Sequence, residues 1–323
     1  MSAVCALGVS CGGSTASELD AGSRPDSGAT TPADAGSASQ DASRELDASS
    51  ELDASSELDA SRDDASVEPC TVSEPESREL AWTFEHDGRE RRARIVLPDD
   101  YSAERRWPLV LSIHALGSSA ALQESYTRMT EQTRTRGFVV VYPEGTGGSW
   151  NAGTCCGTAV GRVDDVGFLA AVIDRAEAEL CIDRERVHAT GMSDGGYMTH
   201  RLGCELADRL ASIAPVAGAD ATTRCEPSRP LPIHLHHGTL DTVVPYLAGV
   251  SARDAWRERN GCIGEPETFF EGGGTTCERW RCDAPVEVCR STVSHVWPGG
   301  VASPAGIDAT TAILDFFEAH PLR

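Results

Sequence analysis

The sequence predicts an α/β fold, a mostly parallel sheet covered by helices on both faces and entered through an antiparallel hairpin. Three observations carry this reading. Short, nearly continuous apolar runs at 108–113, 138–142, 187–190, 213–217 and 232–236 have the pattern of strands buried on both faces. Stretches of helical spacing alternate with them. One stretch, VHATGMSDGGYMTHRL at 187–202, passes from apolar run through a glycine-flanked turn into helical spacing, with Ser193 at the apex.

Taken in order, runs 80–84 and 92–97 flank the turn signal His86-Asp87-Gly88 and form the hairpin. Pro98-Asp99-Asp100-Tyr101 ends its second strand. After strand 108–113, residues 120–136 read as one helix, and strand 138–142 stops at Pro143-Glu144-Gly145. A long glycine-rich loop, 145–163, contains Trp150-Asn151 and Cys155-Cys156, and 164–180 is an amphipathic helix with an acidic start. Beyond the serine turn come short strands 213–217 and 232–236 and a cysteine-rich insertion at about 256–290. A last strand-and-loop piece at 293–297 and a last helix at 309–320 follow.

Composition divides the chain at residue 74. The first segment is rich in Ser, Ala, Asp and Glu and repeats ELDASS at 45–50, 51–56 and, with one change, 57–62. Such a segment buries too little apolar surface to offset its ordering entropy, so 1–74 is expected to be a disordered acidic linker and 75–323 the folded domain. The net charge is −22, with no lysine anywhere. Half of it lies in the first 70 residues, which hold fourteen acidic residues and three arginines. An acidic domain without a basic run argues against nucleic acid and anionic membrane surfaces as partners.

Of the twelve cysteines, ten lie between Cys70 and Cys289. They lack a CxxC knuckle, so disulfides in an oxidising compartment are favoured over zinc. Cys262–Cys282 and Cys277–Cys289 are the expected pairs of the insertion. The N-terminal MSAVCALGVSCGGS resembles the end of a bacterial lipoprotein signal, with Cys11 as the lipidated residue, though it lacks a positive n-region and its apolar run is short. Export, with a membrane tether through an N-terminal lipid on the outer surface, is the expectation. No stretch approaches 18 apolar residues.

Gly191-Met192-Ser193-Asp194-Gly195 between strand and helix is the nucleophile elbow of α/β-hydrolases, and the fold class follows from it. A serine hydroxyl needs a base to take its proton and a third group to orient that base. In this fold the chain order is serine, acid, histidine. Asp241, after strand 232–236, is the expected acid, with Asp220 the alternative. Only His295 and His320 follow Asp241. His320 ends the final helix, which leaves His295, in SHVWPGG, as the base. Asp194 is expected to act through its backbone. Of His236 and His237, one should face the core and the other support the Asp241 turn. The oxyanion donors are expected to be the backbone N–H groups of Asp194 and Leu116, with Ala115 as the neighbour. Alanine at 115 stands where glycine is usual.

The motifs LVLSIHALGSS, WNAGTCCG, VDDVGFL, RVHATGMSDGGYM, IAPVAGA, HHGTLDTVVPY and HVWPGG resemble, in that order, those of the polyhydroxybutyrate depolymerase and feruloyl esterase-like family of secreted α/β-hydrolases. The resemblance covers about 80–320. It implies a monomeric serine esterase with no cofactor and no metal, acting on hydroxyalkanoate oligomers or on feruloyl and acetyl esters of the plant wall. It implies Ser193 as nucleophile, Asp241 as acid and His295 as base. Trp150, Asn151 and Trp297 would line or support the acyl pocket and bind substrate. Val293-Ser294 stand where the family has glycine. The chain ends soon after His295, so a soluble ester or oligomer is expected rather than a solid polyester. A prolyl peptidase-like hydrolase, or a surface binding protein that keeps the fold without catalysis, are the competing readings.

Overall fold

Two-sided burial of the apolar runs organises the architecture. The computed structural model describes residues 70–322, apart from 302 and 304. The elements run β1 (Glu79–His86), β2 (Arg89–Val96), β3 (Trp107–Ile113), α1 (Ala120–Thr127), α2 (Met129–Arg136), β4 (Val139–Pro143), α3 (Asp165–Glu179), β5 (Ile182–Met192) and α4 (Asp194–Glu205). They continue through β6 (Ser212–Val216), β7 (Ile233–Gly238), α5 (Tyr246–Arg259), β8 (Ile263–Gly272), β9 (Thr275–Arg281), β10 (Val286–Ser291) and α6 (Ala309–Ala319). The strands form one sheet in the order β1-β2-β4-β3-β5-β6-β7-β10-β9-β8. β4, β3, β5, β6, β7 and β10 are parallel, and antiparallel pairs close both edges.

The hairpin turns where the Asp-Gly signal places it. Asp87 (φ 51°) and Gly88 (φ 67°) both take the left-handed conformation that a tight hairpin requires. Alternate residues of the central strands feed two cores. On one face Leu109, Leu111, Ile213 and Ile233 pack with Phe168 and Leu169 of α3, Met198 and Leu202 of α4, and Trp256 of α5. On the other, Val110, Val140, Ala214 and Val216 pack with Met129 of α2 and with Ile313, Leu314 and Phe317 of α6. This double cover keeps the parallel strands dry and leaves their carboxyl ends to carry reactive loops.

The fold corrects the sequence reading at three places. The helix expected over 120–136 is two helices, broken where Arg128 takes φ 55°. Thr127 donates its hydroxyl to the Gln123 carbonyl and accepts from the Met129 N–H, so a side chain serves the backbone at the break. The cysteine-rich insertion is mostly regular structure. Its first residues complete α5, a helix the sequence reading did not place, and the rest forms β8, β9 and β10. The strand expected at 293–297 instead ends at Ser291, and 293–297 is irregular. β10 pairs in parallel with β7 and so extends the main sheet, an outcome of long-range pairing that local pattern does not encode.

Five disulfides join the ten described cysteines: Cys70–Cys181, Cys155–Cys156, Cys204–Cys225, Cys262–Cys282 and Cys277–Cys289. The two expected pairs of the insertion are among them. Cys70–Cys181 spans 111 residues, the longest loop of the five. The chain-entropy model assigns such a closure about 4–5 kcal/mol. Cys11 and the segment before residue 70 lie outside the described residues.

The Arg128 side chain is exposed and, among the described residues, pairs with Glu131, an exposed pair of small value. Arg128→Gly should therefore stabilise the domain by about 0.5–1 kcal/mol, because glycine takes the left-handed conformation without steric cost. Urea unfolding checks this; a lowered midpoint would contradict it.

Candidate active site

Ser193 sits between the end of β5 and the start of α4 with φ 56° and ψ −117°, a backbone conformation rarely taken by residues with a side chain. Its N–H donates to the Val216 carbonyl (2.9 Å) and its carbonyl accepts from Tyr197. The flanking glycines have a steric reason. A Cβ on Gly195 would lie 2.1 Å from the Ile113 carbonyl oxygen, and one on Gly191 would lie 2.5 Å from the Gly195 carbonyl oxygen. Strand, turn and helix are thus in backbone contact, and the serine is held out at their junction.

Asp241 follows β7 and is buried. Its Oδ1 accepts from the N–H groups of Val243 and Val244, both at 2.9 Å. Its Oδ2 accepts from His295 Nδ1 at 2.7 Å. With Nδ1 donating, Nε2 of His295 carries the lone pair that a base needs. The segment before His295 crosses the end of β7. Leu240 N–H donates to the Val293 carbonyl, and a Cβ on Gly238 would lie 2.4 Å from the carbonyl oxygens of both Val293 and Ser294. Glycine in β7, rather than glycine before the histidine, accommodates the crossing. Asp220 is engaged elsewhere, with Arg259 (2.8 Å) and Thr222. His320 bonds the Phe316 carbonyl at the end of α6.

Among the described residues Ser193 Oγ has no hydrogen-bond partner, so the bond to His295 is not formed in this structure. Such nucleophile–base contacts commonly tighten only in the substrate complex.

The loop after β3 has an ordered cause that the sequence reading missed. His114 is buried; its Nε2 accepts from the Gly145 N–H (2.9 Å), so its Nδ1 carries a proton and donates to the Ala115 carbonyl (2.8 Å). Burial lowers its pKa and keeps the ring neutral. A peptide unit is planar, so fixing the Ala115 carbonyl also fixes the Leu116 N–H, which points the opposite way. Neither that N–H nor the Asp194 N–H is used in a hydrogen bond among the described residues. The left-handed residue of this turn is Gly117 (φ 70°), which leaves Ala115 without backbone strain.

Trp150 and Trp297 do not face an open site. Trp150 is fully buried, donates its indole N–H to the His114 carbonyl and its backbone N–H to Asp194 Oδ2 (3.0 Å). Trp297 is also fully buried, with its indole N–H on Thr310 Oγ1. Asn151 spends its side chain on the Val163 carbonyl and the Gly161 N–H. The two tryptophans are sealed from solvent and brace the loops from within the fold, whereas Asn151 stays partly exposed. Behind them the buried pair Arg91–Asp165 (2.6 Å) receives the Asn151 N–H on Asp165 Oδ2 (2.7 Å). Breaking such a pair typically costs about 3–5 kcal/mol, because the remaining charge is stranded.

Four large apolar residues are exposed on the segments that follow β3 and β7. Leu116, Leu240, Val243 and Leu247 are all more than half exposed, on loops or a helix start beyond the carboxyl ends of β3 and β7. His237 donates its Nε2–H to the Val244 carbonyl (2.9 Å), with Nε2 3.6 Å from Asp241 Oδ2, and supports the turn that carries Asp241. His236 faces the core, where neither ring nitrogen has a partner. Among the described residues three groups bring cysteine sulfur beside His or Asp: His234-His236-Cys289, Cys155-Cys156-Asp194 and Cys204-Asp220-Cys225. In each the cysteines are disulfide-bonded, and metal binding needs thiolate.

An elbow serine, a histidine held by a buried aspartate and a sheet with these crossings define an α/β-hydrolase. The acetyl xylan esterase from Aspergillus awamori shares the fold, with a TM-score of 0.58 at 15% identity over 74% of this chain and 99% of that one. No family model matches the chain. In sequence it is similar to feruloyl esterase B of Piromyces equi, 31% identical over 229 residues, which is 63% of this chain and 42% of that protein. It is also similar to a probable feruloyl esterase C of Aspergillus niger, 28% identical over 247 residues, 72% of this chain and 86% of that protein. The chain spans under half the length of the Piromyces protein. It is feruloyl esterase-like in sequence and an α/β-hydrolase in fold.

The side chain of Asp194 carries a pH dependence. Burial pushes its pKa up to about 7, against the opposing pull of the Trp150 N–H. An unfolded aspartate titrates near 4, so between about pH 4 and 7 the native state keeps a proton that the unfolded chain has released. Stability should fall as pH rises through that window and level off above it. Asp194→Asn removes the charge and keeps an acceptor for Trp150. The variant should lose this slope and exceed the wild type at pH 8 by on the order of 1–3 kcal/mol. Urea unfolding at pH 5 and pH 8 decides; an unchanged slope would assign it to another group.

Proposed function

We propose that this protein is a serine carboxylic ester hydrolase that works through an acyl-enzyme on feruloyl or acetyl esters. The observation that carries the reading is the 2.7 Å bond from His295 to buried Asp241, in the same fold as an elbow serine. In the mechanism, Ser193 Oγ attacks the ester carbonyl while His295 Nε2 takes its proton. Asp241 stabilises the imidazolium, and its second oxygen is already held by two backbone N–H groups, so it does not reorient. The oxyanion of the tetrahedral intermediate accepts from the N–H groups of Leu116 and Asp194. His295 returns the proton to the departing alcohol. Water then repeats the sequence and releases the acid.

The exposed apolar residues at 116, 240, 243 and 247 favour an aromatic acyl group, since apolar walls with few polar groups suit a phenolic acid better than acetate. The named relatives support the same class. Both acid–base partners and both proposed oxyanion donors come from one chain, so a monomer suffices.

Ser193→Ala should lower p-nitrophenyl acetate turnover by about a thousandfold or more. Equal rates in variant and wild type would remove the esterase reading. Methyl ferulate should be hydrolysed faster than 3-hydroxybutyrate oligomers under matched conditions; the reverse order would move the substrate class to hydroxyalkanoates.

Five disulfides require an oxidising compartment. Tethering through lipidated Cys11 is the further proposal, and it rests on the sequence motif alone. Native protein from membranes should partition into detergent and Cys11→Ala should not; fully aqueous native protein would contradict it.

A further inference from the structure

The Cys155–Cys156 disulfide lies in loop 145–163, beside the side chain of Asp194 and one residue before a contact with the side chain of Leu116. Both sulfurs and a carboxylate oxygen of Asp194 lie within 4.8 Å of one another. The next residue, Gly157, is pressed against the Leu116 side chain: a Cβ there would stand 2.7 Å from Leu116 Cδ1 and 2.9 Å from Ser149 Cβ. The rest of the loop ties the same two sides together. Gly117 N–H donates to the Gly148 carbonyl (2.7 Å), Ala152 N–H to the Cys155 carbonyl (2.9 Å) and Thr154 N–H to the Ala221 carbonyl (2.9 Å). Asp194 Oδ1 is buried, and the carboxylate is acted on by the N–H of Cys156 as well as by that of Trp150. Cysteine thiols could donate to that oxygen; disulfide sulfurs cannot. The two cysteines are partly exposed, which leaves them open to a small dithiol.

We propose that the Cys155–Cys156 disulfide is a positioning element of the ester site, which holds loop 145–163 in register between Leu116 and Asp194 and releases it on reduction. The inference rests on the esterase reading for its catalytic consequence and on loop geometry for the rest. On reduction the sulfur–sulfur bond accepts two electrons and two protons from a dithiol, which itself becomes a disulfide. The freed turn gains conformations, and a thiol can swing to Asp194 Oδ1. The oxyanion donors then lose their shared wall, which affects the transition state more than ground-state binding.

The test uses the full chain, oxidised or treated with dithiothreitol until alkylation and peptide mapping find Cys155 and Cys156 free and the other four pairs intact. The kcat for p-nitrophenyl acetate should fall roughly ten- to a hundredfold with a much smaller change in KM, and reoxidation should restore it. Amide exchange at 150–157 should quicken. The double variant Cys155→Ser/Cys156→Ser should show the low kcat from the start and no response to dithiothreitol. Unchanged kcat after confirmed reduction overturns the proposal, as does a dithiothreitol response that persists in the double variant. Should the double variant fail to fold, the reversible change in wild type decides. Should the oxidised wild type hydrolyse no ester, the esterase reading fails by itself. Exchange at 150–157 then decides the positioning role, and unchanged exchange on reduction rejects it.

Discussion

The constraint on which the rest depends is the close approach of three backbones around Ser193. β5 delivers the serine, α4 leaves from it, and the carbonyls of Ile113 and Val216 from the neighbouring strands press against the turn. Only glycine fits at 191 and 195, and Ser193 itself must take a positive φ. Such a conformation persists only when its surroundings over-determine it. The Ser193 N–H on Val216 and the start of α4 supply that determination. The strain is therefore maintained by the main sheet, and the serine side chain cannot relax into the helix.

From this junction the site spreads along the carboxyl ends of the strands. β7 brings Asp241, and the connection from β10 brings His295 across its end. Gly238 is the contact that permits the crossing. The loop after β3 brings the Leu116 N–H, aimed by a neutral buried histidine. Loop 145–163 closes the remaining side and is tied down by two buried carboxylates, Asp165 and Asp194. One of these is charge-paired with Arg91; the other is held near neutrality by burial. The two carboxylates thus anchor one loop by different electrostatic means.

Residues that a motif comparison would assign to substrate prove to be braces. Trp150 and Trp297 are large, carry one N–H each and stand beside the site, but each spends that N–H internally and is sealed from solvent. The exposed apolar residues on the loops and helix start that follow β3 and β7 are Leu116, Leu240, Val243 and Leu247. Nothing in the sequence marks these, because an exposed Leu in a loop has the same local pattern as a buried one.

The sequence by itself determined the fold class and the strand–turn–helix course of the elbow. These follow from local pattern and chain order, which strand burial and the elbow's sterics write directly into residue type. Local pattern also marked the hairpin at Asp87-Gly88, whose turn type demands those residues. Only the tertiary structure decided that 120–136 breaks at Arg128, that the cysteine-rich insertion contributes β10 to the main sheet, and that His114 aims a peptide plane. It also decided which carboxylate meets His295. All but the break at Arg128 depend on partners far apart in the chain: β10 on β7, His114 on Gly145, Asp241 on His295. The energy of such contacts is earned only on packing, so no local residue pattern announces them.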